Sequence, residues 1–165
     1  MAGSVLSDDV IALARRVVEE CVRAGKTVAL AESCTGGLVG AALTEIPGAS
    51  AVLDRGFVTY SNESKLEALG VQPDILEAFG AVSVATAWAM AQGALAKSNA
   101  DHAVAISGIA GPEGGSDLKP VGTVVFARAN RGNEEVNAEE RILDGEDRGD
   151  IRRQATLVAL ELLLP

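Results

Sequence analysis

Three short stretches of this chain carry residue types that could do chemistry. In the first, the apolar run Val28–Ala31 ends abruptly in Glu32-Ser33-Cys34-Thr35, followed by Gly36-Gly37 and a helical apolar pattern from Leu38 to Leu43. A buried strand that ends in hydroxyls and opens into a helix is where α/β proteins place ligands. The helix N-terminus brings unpaired N–H groups and a positive dipole end, so an anion, or an oxyanion formed during reaction, is expected there. The second stretch supplies Thr59, Tyr60 and Ser61, with Lys65 one turn into the next helix; the third supplies Ser107 and the glycine-rich run Gly108–Gly115.

These residues need a scaffold, and the hydrophobic pattern predicts one. Ser7 opens a helix whose apolar face is Val10, Leu13/Ala14, Val17 and Cys21, stopped at Gly25. Strand one covers Thr27–Glu32 and helix two Gly36–Glu45, with a break at Pro47-Gly48. Strand two is read over Val52–Tyr60, then short helices over Asn62–Leu69 and Pro73–Phe79, then a long alanine-rich helix over Ser83–Lys97. Strand three covers His102–Ser107, a Gly/Pro loop runs to Pro120, and strands over Val121–Ala129 and Val136–Leu143 flank a turn at Arg131–Asn133. A last helix spans Arg148–Leu163. This order predicts one three-layer α/β/α domain over residues 1–165, with about five strands in a mixed sheet, part parallel and part antiparallel.

If the early strands are parallel, their carboxyl ends bring Ser33, Tyr60 and Ser107 to one edge. His102 begins its strand and falls at the opposite edge, which disfavours a Ser-His triad. Ser33 with Lys65 is the sharper pairing: a serine hydroxyl needs a base, and burial can make a lysine that base. Backbone N–H groups near Thr35–Gly37 would hold the oxyanion. Plainer readings stand beside these. Ser33 as a helix cap, Lys65 as a solvated helix lysine, Cys34 as a packed small residue, and the glycines of 108–115 as turn formers all fit the spacing. The motif is neither a GxSxG nucleophile elbow nor a phosphate-binding P-loop.

Composition narrows the function class. The net charge of −9 and 3% aromatic residues argue against a nucleic-acid surface or a base-stacking platform. No apolar run approaches the roughly 20 residues of a membrane span, and the N-terminus does not read as a signal peptide. The expected setting is the cytoplasm. Cys21 and Cys34 suggest no disulfide framework, the single His102 excludes a histidine-rich metal site, and no acidic cluster points to Mg²⁺. No cofactor is called for.

Taken together, Ala31-Glu-Ser-Cys-Thr-Gly-Gly37, Tyr60-Ser-Asn-Glu-Ser-Lys65 with Leu69-Gly-Val71, Gly80-Ala-Val-Ser83, Ser107-Gly-Ile-Ala-Gly-Pro-Glu-Gly-Gly115 with Lys119-Pro-Val-Gly122, and Asp147-Arg148 with Ile151-Arg152 resemble the CinA C-terminal domain family, from about Leu6 to the end. The resemblance implies a five-stranded, mostly parallel sheet between helices and hydrolysis of the carboxamide of nicotinamide mononucleotide (NMN) within pyridine-nucleotide salvage. It implies Ser33 as nucleophile, Lys65 as its base, Tyr60 and Ser107 as orienting or relay groups, and Arg148 as a phosphate ligand. The glycines of the first and third motifs (Gly36, Gly37, Gly108, Gly111 and Gly115), with Thr35, would line the substrate, and the protein would self-associate. Gly145-Glu-Asp-Arg148 carries one residue more than the family's usual Gly-Asp-Arg. Longer relatives carry an additional N-terminal domain, and the chain is read as a stand-alone unit. A nucleotide-binding module without catalysis, or a Ser-Lys amidase acting on another amide, is the alternative.

Overall fold

The computed structural model describes residues 3–165. One five-stranded sheet runs β2–β1–β3–β4–β5, from β1 (Val28–Glu32), β2 (Leu53–Val58), β3 (His102–Gly108), β4 (Thr123–Asn130) and β5 (Ala138–Ile142). β1 lies parallel to both β2 and β3, while β4 is antiparallel to β3 and to β5. The α/β class and mixed sheet are as expected. Several elements are one to three residues shorter than the sequence pattern suggested. For example, α2 runs Leu38–Thr44 rather than from Gly36, because Gly36 and Gly37 take left-handed φ values of 59° and 102° that turn the chain out of β1.

The strands alternate large and small residues, and this sets the layers. Val28 and Leu30 of β1, Val104 and Ile106 of β3, and Val124 and Phe126 of β4 face α1 (Asp8–Ala24), α2 and α6 (Arg148–Leu163). Ala29, Ala31, Ala103, Ala105 and Ala127 point to the other face, against α5 (Val84–Ala96) and the short helices α3 (Asn62–Leu69) and α4 (Pro73–Phe79). An alanine-rich helix on an alanine-rich sheet face packs closely, which explains why α5 needs few large residues. Gly93 of α5 sits where the end of α3 crosses it; a Cβ there would fall inside contact distance of the Leu69 carbonyl. Among the described residues, no helix is long and apolar enough to cross a membrane.

The parallel trio decides where chemistry can occur. The chain leaves β1 toward β2 on one side and returns to β3 on the other, so β1 is the point where strand order reverses, and the carboxyl ends of β1, β2 and β3 open on the same crevice.

Because α3 carries Lys65 and is seated through Gly93, Gly93→Ala is expected to lower stability by about 1–3 kcal/mol, the overpacking cost outweighing the roughly 1 kcal/mol helix-propensity gain. Urea unfolding checks this; a more stable variant would contradict the close approach.

Candidate active site

Lys65 organises the crevice. It lies one turn into α3, whose first turn is capped by Ser61 Oγ accepting from Ser64 N–H at 3.0 Å. Helical side chains tilt toward the helix N-terminus, so the lysine reaches back to the end of β2. There its Nζ meets Thr59 O at 2.8 Å, Tyr60 O at 3.2 Å and Ser33 Oγ at 3.1 Å. The residue is only 1% exposed, and among the described residues it forms no ion pair with a carboxylate. Burial holds its pKa below the ordinary lysine value. A neutral amine has two N–H groups and one lone pair. With both N–H groups given to the two carbonyls, the lone pair is left for the Ser33 hydroxyl to donate to. An amine in that form, so placed, is able to accept a proton from Ser33.

Ser33 is not a helix cap: α2 begins after Gly37, and Lys65 is not solvated. The anion expected at the start of α2 is also already present, supplied by the chain itself. The buried Glu32 carboxylate accepts from Thr35 Oγ at 2.7 Å, Val39 N–H at 3.0 Å and Gly40 N–H at 3.1 Å. This intramolecular cap satisfies the helix donors, so the α2 terminus itself is closed to a ligand. Thr35 is fully buried beneath the loop, with its hydroxyl spent on Glu32. Gly36 N–H donates back to Ser33 O at 3.0 Å, and Gly37 faces Val58. Cys34 does line the crevice, and its N–H donates to no backbone carbonyl among the described residues.

The hollow above Ser33 has a volume of about 200 Å³ and is also bordered by Lys65, Tyr60, Ser107, Gly108 and Arg148. The structure thus brings together Ser33, Lys65, Tyr60, Ser107, Gly108 and Arg148 from the sequence candidates. Gly111 is reached through its carbonyl, which accepts from Arg148 Nη1 at 2.8 Å; Arg148 Nη2 donates to Tyr60 Oη at 3.0 Å. Asp147, next to Arg148, caps α6 by accepting from Asp150 N–H. Thr35, Gly36, Gly37 and Gly115 do not border the hollow; Gly115 is packed on Pro120 and Val121. Asn62, Ala81 and Val82 complete its wall, and the Lys119 ammonium donates to Val82 O. Lys119 and Val82 stand inside the quoted motifs, but their pairing across the chain left no local signal. Larger hollows of about 770 and 300 Å³ lie elsewhere, and neither sets a nucleophile beside a base.

Two competing nucleophile schemes fail on electrostatics and distance. Burial pushes the Cys34 thiol up to about 11, leaving it protonated near neutrality. His102 is buried at the far end of β3, where its Nε2–H donates to Leu163 O at 2.8 Å and burial pushes its pKa down to about 4. It is a packed, neutral structural residue. The one buried side-chain oxygen without a partner among the described residues is Thr59 Oγ, on the residue whose carbonyl holds Lys65.

Residues 10–165 match the CinA C-terminal domain model. The chain belongs to the CinA C-terminal domain family. It is 49% identical over 155 residues to the nicotinamide-nucleotide amidohydrolase PncC of Escherichia coli K12, covering 94% of this chain and 93% of that protein. It is 44% identical to a CinA-like protein of Shewanella woodyi, covering 99% of this chain but only 38% of that longer protein. A solved competence/damage inducible protein from Agrobacterium tumefaciens superposes with a TM-score of 0.93 at 49% identity, covering 98% of this chain and 97% of its own. A CinA superfamily protein from Klebsiella pneumoniae gives a TM-score of 0.88 at 39% identity, covering 93% and 94% of the two chains.

The lowered Lys65 pKa predicts a linkage. Below its folded value both states carry the proton and the full destabilisation applies. Between that value and 10.5 the unfolded chain binds more protons, so stability rises with pH, and above 10.5 the penalty is gone. Urea unfolding of wild type and Lys65→Met from pH 6 to 10.5 is expected to show wild type gaining stability relative to the variant as pH rises. A flat difference would contradict the assigned direction.

Proposed function

We propose that this chain hydrolyses the carboxamide of NMN, giving nicotinate mononucleotide and ammonia through a Ser33–Lys65 dyad. The observation that carries the reading is the 3.1 Å contact between Lys65 Nζ and Ser33 Oγ in a site with no counter-ion for the lysine among the described residues. The PncC relative, matched over nearly its whole length, supports the choice of substrate.

In this mechanism Ser33 Oγ gives its proton to the Lys65 amine and bonds to the amide carbon. The carbonyl oxygen takes up the electron pair and is met by the backbone N–H of Cys34, which borders the hollow next to the nucleophile. When the tetrahedral species collapses, the C–N bond breaks and Lys65 returns the proton to the departing nitrogen, which leaves as ammonia. Water then gives a proton to Lys65 and attacks the acyl carbon, and Ser33 recovers its hydrogen as nicotinate mononucleotide departs. Ser107, buried at the crevice floor, orients the amide. Among the described residues Arg148 holds only neutral acceptors, Gly111 O and Tyr60 Oη, so its charge is available to the substrate phosphate. On a chain of net charge −9, such a local cation is what an anionic nucleotide requires.

Purified protein is expected to release ammonia from NMN, and Ser33→Ala and Lys65→Ala to lose at least about 1,000-fold in kcat. Tight NMN binding without ammonia release would instead mark a binding module, and turnover of other amides alone would mark a different amidase. kcat/KM is expected to climb with pH along one limb, because Lys65 must be neutral, with a midpoint below the ordinary lysine value of 10.5. A rate that falls as pH rises through this range would contradict a lysine base.

A further inference from the structure

The loop that carries Ser33 is gripped from both sides. From beneath, the Glu32 carboxylate takes Thr35 Oγ–H and the N–H groups of Val39 and Gly40. From the side, α6 sends in Arg152, whose Nε–H donates to Cys34 O at 3.0 Å and whose Nη2–H donates to Thr35 O at 3.3 Å. Arg152 is half-buried, and among the described residues it has no carboxylate partner. Its neighbour Arg153, by contrast, is paired with both Asp9 and Asp150. An arginine left without a counter-ion in so acidic a chain, and spent on two successive carbonyls, is placed for what it does to the backbone.

Those carbonyls follow directly on the Cys34 N–H that the mechanism uses, one and two peptides along the chain. A trans peptide is planar, and its C=O and N–H point in opposite directions. Among the described residues the sole cis bond is Gly111–Pro112, so the peptides of the Ser33 loop are trans. The peptide before Cys34 has its carbonyl, Ser33 O, held by Gly36 N–H. The peptide after Cys34 has its carbonyl held by Arg152. With the planes on both sides pinned, the φ and ψ of Cys34 are no longer free, and its N–H keeps one direction. A lysine at position 152 would supply a charge but not the planar fork whose Nε–H and Nη2–H reach the two carbonyls from separate nitrogens.

We propose that Arg152 is a positioning residue for amide hydrolysis: by clamping the Cys34 and Thr35 carbonyls it holds the Cys34 N–H as the oxyanion donor beside Ser33. The inference rests on the NMN amidase reading given above. Arg152 itself does not border the hollow above Ser33 and does not touch the substrate.

The test compares wild type with Arg152→Lys and Arg152→Gln by two readouts. The first is steady-state ammonia release from NMN. Both variants are expected to lose on the order of 100-fold in kcat, the scale of one lost oxyanion donor, with KM changed less than about threefold. Arg152→Gln is expected to recover activity when guanidinium is added at millimolar concentration, which a general loss of stability would not allow. The second readout is the ¹⁵N–¹H resonance of Cys34 in the unliganded proteins, expected to move or broaden in both variants while the β4 amides stay in place. An unchanged kcat, or a raised KM at constant kcat that marks Arg152 as a substrate ligand, overturns the proposal. If wild type fails to turn over NMN, the amidase reading falls by itself, and the Cys34 resonance alone decides: an unmoved resonance refutes the clamp, and a displaced one upholds it.

Discussion

Everything at this site depends on one lysine being held out of water without a partner charge. Lys65 is almost wholly buried, and its Nζ is met by two backbone carbonyls and a hydroxyl, none of them ionised. A buried ammonium in such surroundings is costly, and the inexpensive answer is to release the proton. A carboxylate beside it would have fixed the positive charge and removed the base. The absence of an ion pair among the described residues, which would be a defect in a purely structural lysine, is what the proposed role of Lys65 as proton acceptor for Ser33 requires.

The fold serves that constraint. Lys65 is buried where α3 packs on α5, the helix that covers the small-residue face of the sheet. That requires alanines along β1 and β3 and the bare Cα of Gly93 under the end of α3. The opposite face carries the large apolar residues and the two long helices that stabilise the domain. The division leaves Ser33 just past the end of β1, at the reversal of strand order, with α6 close enough to send Arg148 to the hollow and Arg152 to the loop beneath it.

Much of this was legible in the sequence. The alternation in Val28-Ala-Leu-Ala31 and in Ala103-Val-Ala-Ile106 shows a strand buried on both faces, with one face reserved for a close neighbour. The apolar run ending in hydroxyls and glycines located the Ser33 loop, and the helix start after Tyr60 located Lys65. What stayed hidden was how the donors of that loop are used. A glutamate before a helix reads as strand end or solvent-facing acid; only the turn through Gly36 and Gly37 folds Glu32 back onto the N–H groups of Val39 and Gly40. That closure ties up the start of α2 and puts Thr35 underneath, leaving Cys34 as the loop residue that borders the hollow beside Ser33. Arg152 stood in a recognised motif, but its contact with Cys34 spans the chain, and no local pattern encodes such a pairing.

The most direct test of the central claim is the protonation of Lys65 in the resting protein, followed by the ¹³Cε resonance of labelled lysine between pH 6 and 11 and assigned through Lys65→Met. One lysine resonance, missing from the variant, is expected to titrate below the ordinary value of 10.5. A Lys65 that titrates at or above that value would be a charged donor to Ser33 rather than its base, and the mechanism built on it would be wrong.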